Sequence, residues 1–159
     1  RQCPKLTIVR VQGKTVGGGV GIASAGDYTV AHESAAIKLS ELALGIGPFV
    51  VGPAVERKVG TSAFSTLSVD ASSWNSAEWA RENGLFSTVC ESHEKLDEKV
   101  DELAEQLAGY SPDAMAELKK VLWKGTDGWD ELLEERAEIS GRLVLSDFTK
   151  NFIEDFKSS

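Results

Sequence analysis

The chain has 159 residues, 42% of them hydrophobic and 26% charged, with a net charge of −8. That is the length and composition of one soluble globular domain with a core of its own, and it excludes disordered and collagen-like chains. Apolar stretches are interrupted well before the ~20 residues a bilayer demands, so no membrane span is expected. Nucleic acid is excluded as the main partner, because phosphate binding needs clustered Lys and Arg. The acidic runs from Glu91 to Glu105 and from Asp127 to Glu138 read as solvated helix faces.

Leu6-Thr7-Ile8-Val9-Arg10-Val11 is a β-branched run closed by Gly13, which predicts a buried strand. The run Gly17-Gly18-Gly19-Val20-Gly21 comes next, and the small residues from Val20 to Ala25 suit a closely packed helix start. Tyr28-Thr29-Val30-Ala31 and Ala36-Ile37-Lys38-Leu39 are further strand candidates. Strand, glycine turn, helix, strand is the rhythm of an α/β layer with parallel strands. From Pro53 the pattern turns helical, with stretches Val55–Val59 and Ser62–Leu67 separated by Gly60. Ser76 is placed to cap a helix reaching Asn83, with Gly84 just past its end. Phe86–Val89 predicts a short strand. Leu96, Val100, Leu103 and Leu107 recur at helical spacing. Ser111-Pro112 opens a helix to about Trp123, and Trp129–Leu143 and Asp147–Phe156 complete a helical C-terminal third.

Three successive glycines have two readings. One is a tight packing turn; the other is a set of unhindered N–H groups at a helix start, able to stabilise charge developing on a carbonyl oxygen. Gly13-Lys14-Thr15 is not a P-loop, because position 8 is Ile where that motif needs Gly. A dinucleotide-binding unit is the main rival fold. Its G-x-G-x-x-G fails here because position 22 is Ile. Cys3 and Cys90 show no metal-like or redox-like spacing and read as ordinary thiols in a reducing compartment. No metal site is expected. No secretory leader is visible, so the cytoplasm is the default compartment, although the chain opens on Arg1 rather than Met.

As a set, Val11-Gln12-Gly13, Gly17-Gly18-Gly19, Asp27, Ala31, Ala35, Glu41, Gly45 and Pro48 resemble the signature of the crotonase, or enoyl-CoA hydratase/isomerase, family. Val55-x-Arg57-x-Val59-Gly60 and Ser76-Ala77-Glu78-x-Ala80 through Gly84-Leu85 are similar to its later segments, so the resemblance runs from about residue 5 to 90. It implies an α/β fold: the C-terminal half of a crotonase-like ββα spiral over 1–90, followed by a helical region over 91–159 serving trimerisation and CoA proximity. It also implies an acyl-CoA thioester substrate, with coenzyme A present only as part of that substrate and no separate cofactor. Homotrimers or hexamers are the expected assembly.

The resemblance implies Gly18 as a backbone oxyanion donor, Glu41 as acid/base, and Gly17, Gly19, Pro48 and Phe49 as substrate-binding positions. The second donor lies upstream in the family, so an N-terminal half is an expected partner. Hydratases of the family commonly carry two carboxylates, and the first of those positions falls on Gly21. A lone Glu41 suits a proton shuttle better than the holding of a water. Isomerase and hydratase therefore both remain open, as does a catalytically degenerate acyl-CoA-binding or assembly subunit. Trp74, Trp79, Trp123 and Trp129 are expected as core or interface anchors. Asp27 is expected to bind a turn, and His32 and His93 to stay outside the chemistry. Lys150 and Lys157 read as surface lysines within reach of a CoA phosphate.

Overall fold

The computed structural model describes residues 1–158. The first sheet holds β1 (Ile8–Val11), β3 (Tyr28–His32) and β6 (Thr88–Cys90), all parallel, with β3 central. Helix α1 (Gly18–Ala25) is the crossover from β1 to β3, as the alternation of strand and helix predicts. Its closeness to the sheet depends on a missing side chain, since a Cβ at Gly26 would collide with Val9. A second, smaller sheet joins β2 (Thr15–Val16), β4 (Ala36–Lys38) and β5 (Asn75–Ser76), with β2 and β4 parallel and β5 antiparallel to β4.

α2 (Gly52–Val69) carries the expected break at Gly60, whose backbone leaves the helix at φ 75°, ψ 164°. In α3 (Ala77–Glu82) the Ser76 hydroxyl accepts from the Trp79 N–H, and Gly84 follows at φ 79°. Both features match the sequence reading, because a cap and a left-handed C′ residue are local properties. The strand expected over Phe86–Val89 lies further on. Leu85 and Phe86 give their N–H groups to Ala80 O, closing the end of α3, so the ladder begins only at Thr88.

The helical third comprises α4 (His93–Ala108), α5 (Pro112–Leu122), α6 (Trp129–Val144) and α7 (Asp147–Ser158). It is not detached from the α/β layer, because α4 packs on β3, β1 and β6. Leu96 is fully buried there with Val30 and Cys90, while Val20, Ile37, Leu39, Val55, Leu67 and Phe86 build the main core on the other side. At ~25 cal/mol per Å² these buried apolar side chains supply most of the stabilisation. Among the described residues no helix is long and apolar enough to cross a membrane.

Candidate functional site

The glycine run sits where β2 hands over to α1. Gly17 N–H donates to Lys38 O at 2.9 Å, adding one rung beyond the β2–β4 pairing. The backbone then turns at Gly17 (φ 52°, ψ −116°), a conformation that favours glycine. Gly17 O accepts from Val20 N–H at 2.9 Å and Gly21 N–H at 3.2 Å, which closes the first helical turn. Gly18 begins the helix and is solvent-exposed. Its N–H belongs to the first turn, where no intrahelical acceptor exists, at the positive end of the helix dipole.

Glu41 follows β4 and heads a 3₁₀ turn over Leu42–Leu44. Its carbonyl accepts from Leu44 N–H at 3.1 Å and Ile46 N–H at 3.0 Å, which ties it to the turn that follows. The carboxylate lies directly over the glycine turn. A methyl group at Gly17 would stand 3.0 Å from Oε1 and 3.5 Å from Cδ. Oε2 is buried and has no hydrogen-bond partner among the described residues. Burial pushes the carboxyl pKa up, opposed only by a bond from the residue's own backbone. A desolvated acid with an orphan oxygen, set beside exposed helix-start N–H groups, has the ingredients of proton transfer next to a developing oxyanion.

Among the expected positions, Gly17 and Glu41 come together because β2 and β4 are neighbours, and Gly18 follows Gly17 as the first residue of α1. Gly19 packs against Thr15, where an added Cβ would stand 3.0 Å from Cγ2. Pro48 and Phe49 lie on the next loop. Pro48 O accepts from Gly52 N–H at 2.8 Å, and the Phe49 ring folds back over Gly47.

Val51, which carries no signal in the sequence, is the residue of this stretch that meets α1. A Cβ at Gly21 would stand 2.7 Å from Val51 Cγ1 and 3.0 Å from its Cβ. No local pattern marks this contact, since it exists only through the docking of α2 on α1. Helix α7 also reaches the loop after Glu41. At Gly45 (φ 81°) an added Cβ would stand 2.5 Å from Phe148 Cδ1 and 2.8 Å from Thr149 Oγ1.

Asp27 does far more than bind a turn. Its Oδ2 accepts from Thr7 N–H (2.7 Å), Thr7 Oγ1 (3.0 Å) and Lys119 Nζ (2.5 Å), and its Oδ1 from Trp123 Nε1 (2.8 Å). Burial pushes this carboxyl up, and the donors from Lys119, Trp123 and Thr7 overcome it, leaving the pKa below the usual value. Trp123 is buried, as a core anchor would be, and Trp74 lies outside the core. It is 41% exposed, with the Lys14 and Lys38 ammonium groups 5.0 and 4.8 Å from its ring centroid. His32 and His93 stack on each other with centroids 4.3 Å apart. Cys3 and Cys90 are both free thiols, and Lys150 and Lys157 are exposed. Among the described residues no group of three or more His, Cys, Asp or Glu is placed to hold a metal ion.

The sequence and the fold have counterparts. The "Probable enoyl-CoA hydratase" of Bacillus subtilis is 30% identical over 155 residues, covering 96% of this chain and 60% of its own length. The peroxisomal "Delta(3,5)-Delta(2,4)-dienoyl-CoA isomerase" of Arabidopsis thaliana is 30% identical over 151 residues, covering 92% of this chain and 53% of its own. A solved enoyl-CoA hydratase/isomerase from Pseudoalteromonas atlantica superposes with a TM-score of 0.90 at 20% identity, covering 99% of this chain and 63% of that one, which establishes the crotonase-like fold. The chain thus spans between half and two thirds of the length of these relatives. The family profile described as enoyl-CoA hydratase/isomerase matches residues 1–152, and the chain is a member of the enoyl-CoA hydratase/isomerase family.

Proposed function

We propose that this chain is the acid/base-bearing part of an acyl-CoA enzyme in which Glu41 carries a proton between carbons of the acyl chain and Gly18 N–H donates to the thioester oxygen. The observation that carries this reading is the Glu41 carboxylate, desolvated, lying over Gly17, with Oε2 unpartnered. A thioester α-proton is too weakly acidic for a carboxylate unless the enolate oxygen is stabilised, so donor and base act as a unit. Each such donor contributes ~10²–10³ in rate. The companion donor would come from outside these residues, as would the partner segment along β1, an edge strand of its sheet. Gly17, Gly19, Pro48 and Phe49 would line the substrate. The helical region 91–159 would supply the assembly surface of a trimer or hexamer, with α7 presenting Phe148 and Phe156 at 64% and 77% exposure.

Between the two family reactions, isomerisation is favoured. Hydratases of the family commonly hold a water between two carboxylates, and Val51 fills the space above Gly21 where a second would project. A single buried acid can take a proton from one carbon and return it to another. The test is Glu41→Gln in the complete protein, with turnover of 3-enoyl and 2-enoyl thioesters and α-proton exchange in D₂O as readouts. Loss of both by ~10²–10⁴-fold with acyl-CoA binding retained is expected. Unchanged turnover removes Glu41 from the mechanism. Hydration of 2-enoyl thioesters without isomerisation of 3-enoyl ones by the unaltered protein returns the chain to the hydratase reading. Binding without any exchange in the unaltered protein supports a degenerate acyl-CoA-binding subunit, which the glycine at position 21 also motivates.

A further inference from the structure

For a chain of net charge −8, one corner is unusually cationic. It lies at the end of α1 opposite the glycine turn, and so apart from Glu41. Lys58, half-buried on α2, donates from Nζ to the Asp27 main-chain oxygen at 3.3 Å. That accounts for one of the three donors an ammonium carries. Arg57 beside it gives one guanidinium N–H to Leu122 O and stacks over Trp123 at 4.2 Å. Lys119 completes the cluster, 5% exposed. The one carboxylate among them, Asp27, already accepts from Thr7, Lys119 and Trp123.

Three cations therefore share one acid. The negative end of α1 accounts for a cation near Asp27 O, but it supplies only about half an elementary charge. Burial, then the charges of Arg57 and Lys119, push the Lys58 pKa down against the pull of Asp27. A half-buried positive charge without a full counter-charge is costly, and an anion that enters removes the cost. A cavity of about 380 Å³ opens here, lined by Asp27, Arg57, Lys58 and Leu122.

We infer that this cavity is an anion site, in which a phosphate-class oxyanion sits between the Lys58 ammonium and the Arg57 guanidinium. The planar guanidinium fork matches two oxygens of such an anion, and the ammonium serves as a point charge on a third. Asp27 is kept from repelling it by its own four donors.

The probe is inorganic phosphate against chloride at constant ionic strength, since screening would otherwise mimic an effect. Titration calorimetry is expected to show saturable binding at one site per chain. Lys58→Met should weaken it by about tenfold or more, the scale for removing one partner of a desolvated charge pair. Lys120→Met should leave it unchanged, because Lys120 is exposed, paired with Glu117 and outside the cavity. Acetylation of the unaltered chain, followed by mass spectrometry, is independent of any variant's folding. Phosphate should slow modification of Lys58 and not of Lys120. Absence of saturation, equal affinity in Lys58→Met, or equal acetylation of Lys58 with and without phosphate overturns the inference.

Discussion

Lys119→Met would test whether Asp27 holds the C-terminal helices to the α/β layer. Both side chains of the pair are nearly buried, at 5% and 6% exposure, and the ammonium is 2.5 Å from Oδ2. Met keeps most of the aliphatic volume and removes the charge. The carboxylate is then left buried with Thr7 N–H, Thr7 Oγ1 and Trp123 Nε1 as its remaining donors. Breaking a buried pair by deleting one partner costs ~3–5 kcal/mol, and the surviving donors place the expected loss near the lower end, about 3 kcal/mol. That is a large share of the ~5–15 kcal/mol by which domains are stable.

The pH dependence follows from the direction of the Asp27 shift. Its folded pKa lies below the unfolded value, so the stability it contributes is present above the unfolded pKa and is lost as pH falls through the folded one. In Lys119→Met burial acts with less opposition, and the carboxyl becomes easier to protonate. The gap between variant and wild type is therefore widest near pH 7 and narrows on acidification. Urea denaturation followed by tryptophan fluorescence, from pH 7 down to pH 4, reads this without screening the pair. Asp27→Asn combined with Lys119→Met should recover part of the loss, because no charge is left stranded. A loss under about 1 kcal/mol, or a gap independent of pH, would refute the reasoning.

Glu41 should show the opposite sign. Its folded pKa is raised, so its ionisation opposes folding as pH rises through that value. Glu41→Gln should gain ~0.5–2 kcal/mol at pH 7 and nothing at pH 4, even as it loses activity; equal stability at pH 7 would mean the carboxylate is well solvated. Gly21→Ala should cost ~1–3 kcal/mol despite better helix propensity, because the new methyl meets Val51. Val51→Ala in the same chain should relieve that cost, as a double-mutant denaturation cycle would show. Gly45→Ala, at φ 81° beneath Phe148 and Thr149, should loosen α7, seen as faster amide exchange in α7 with the core strands unaffected.

Several elements are legible in the sequence because their chemistry is local. Ser76 and Ser111 cap the helices that follow them, since a cap depends only on the residues one turn away. Gly84 adopts the positive φ its position past α3 implies, and Gly60 interrupts α2 where a break is expected. The glycine turn and Glu41 are recognisable by residue type and spacing. The two-residue strands β2 and β5 are not, because they carry no periodicity and exist only through their pairing with β4. Phe86 reads as strand because its apolar neighbours look alike in either state, and its N–H bond to Ala80 O decides otherwise.

Sequence alone singled out the candidates for chemistry: a run of glycines able to expose N–H groups, and one acid at the matching position. Only the tertiary structure decided that Glu41 lies over Gly17 with an orphan oxygen, and that Val51 fills the space above Gly21. It alone joined Asp27 to Lys119 and Trp123, 92 and 96 residues further along the chain. These are consequences of burial and of contacts between distant segments, which set desolvation, steric room and charge balance. Residue type states what a group can donate or accept; packing decides which partner it has left.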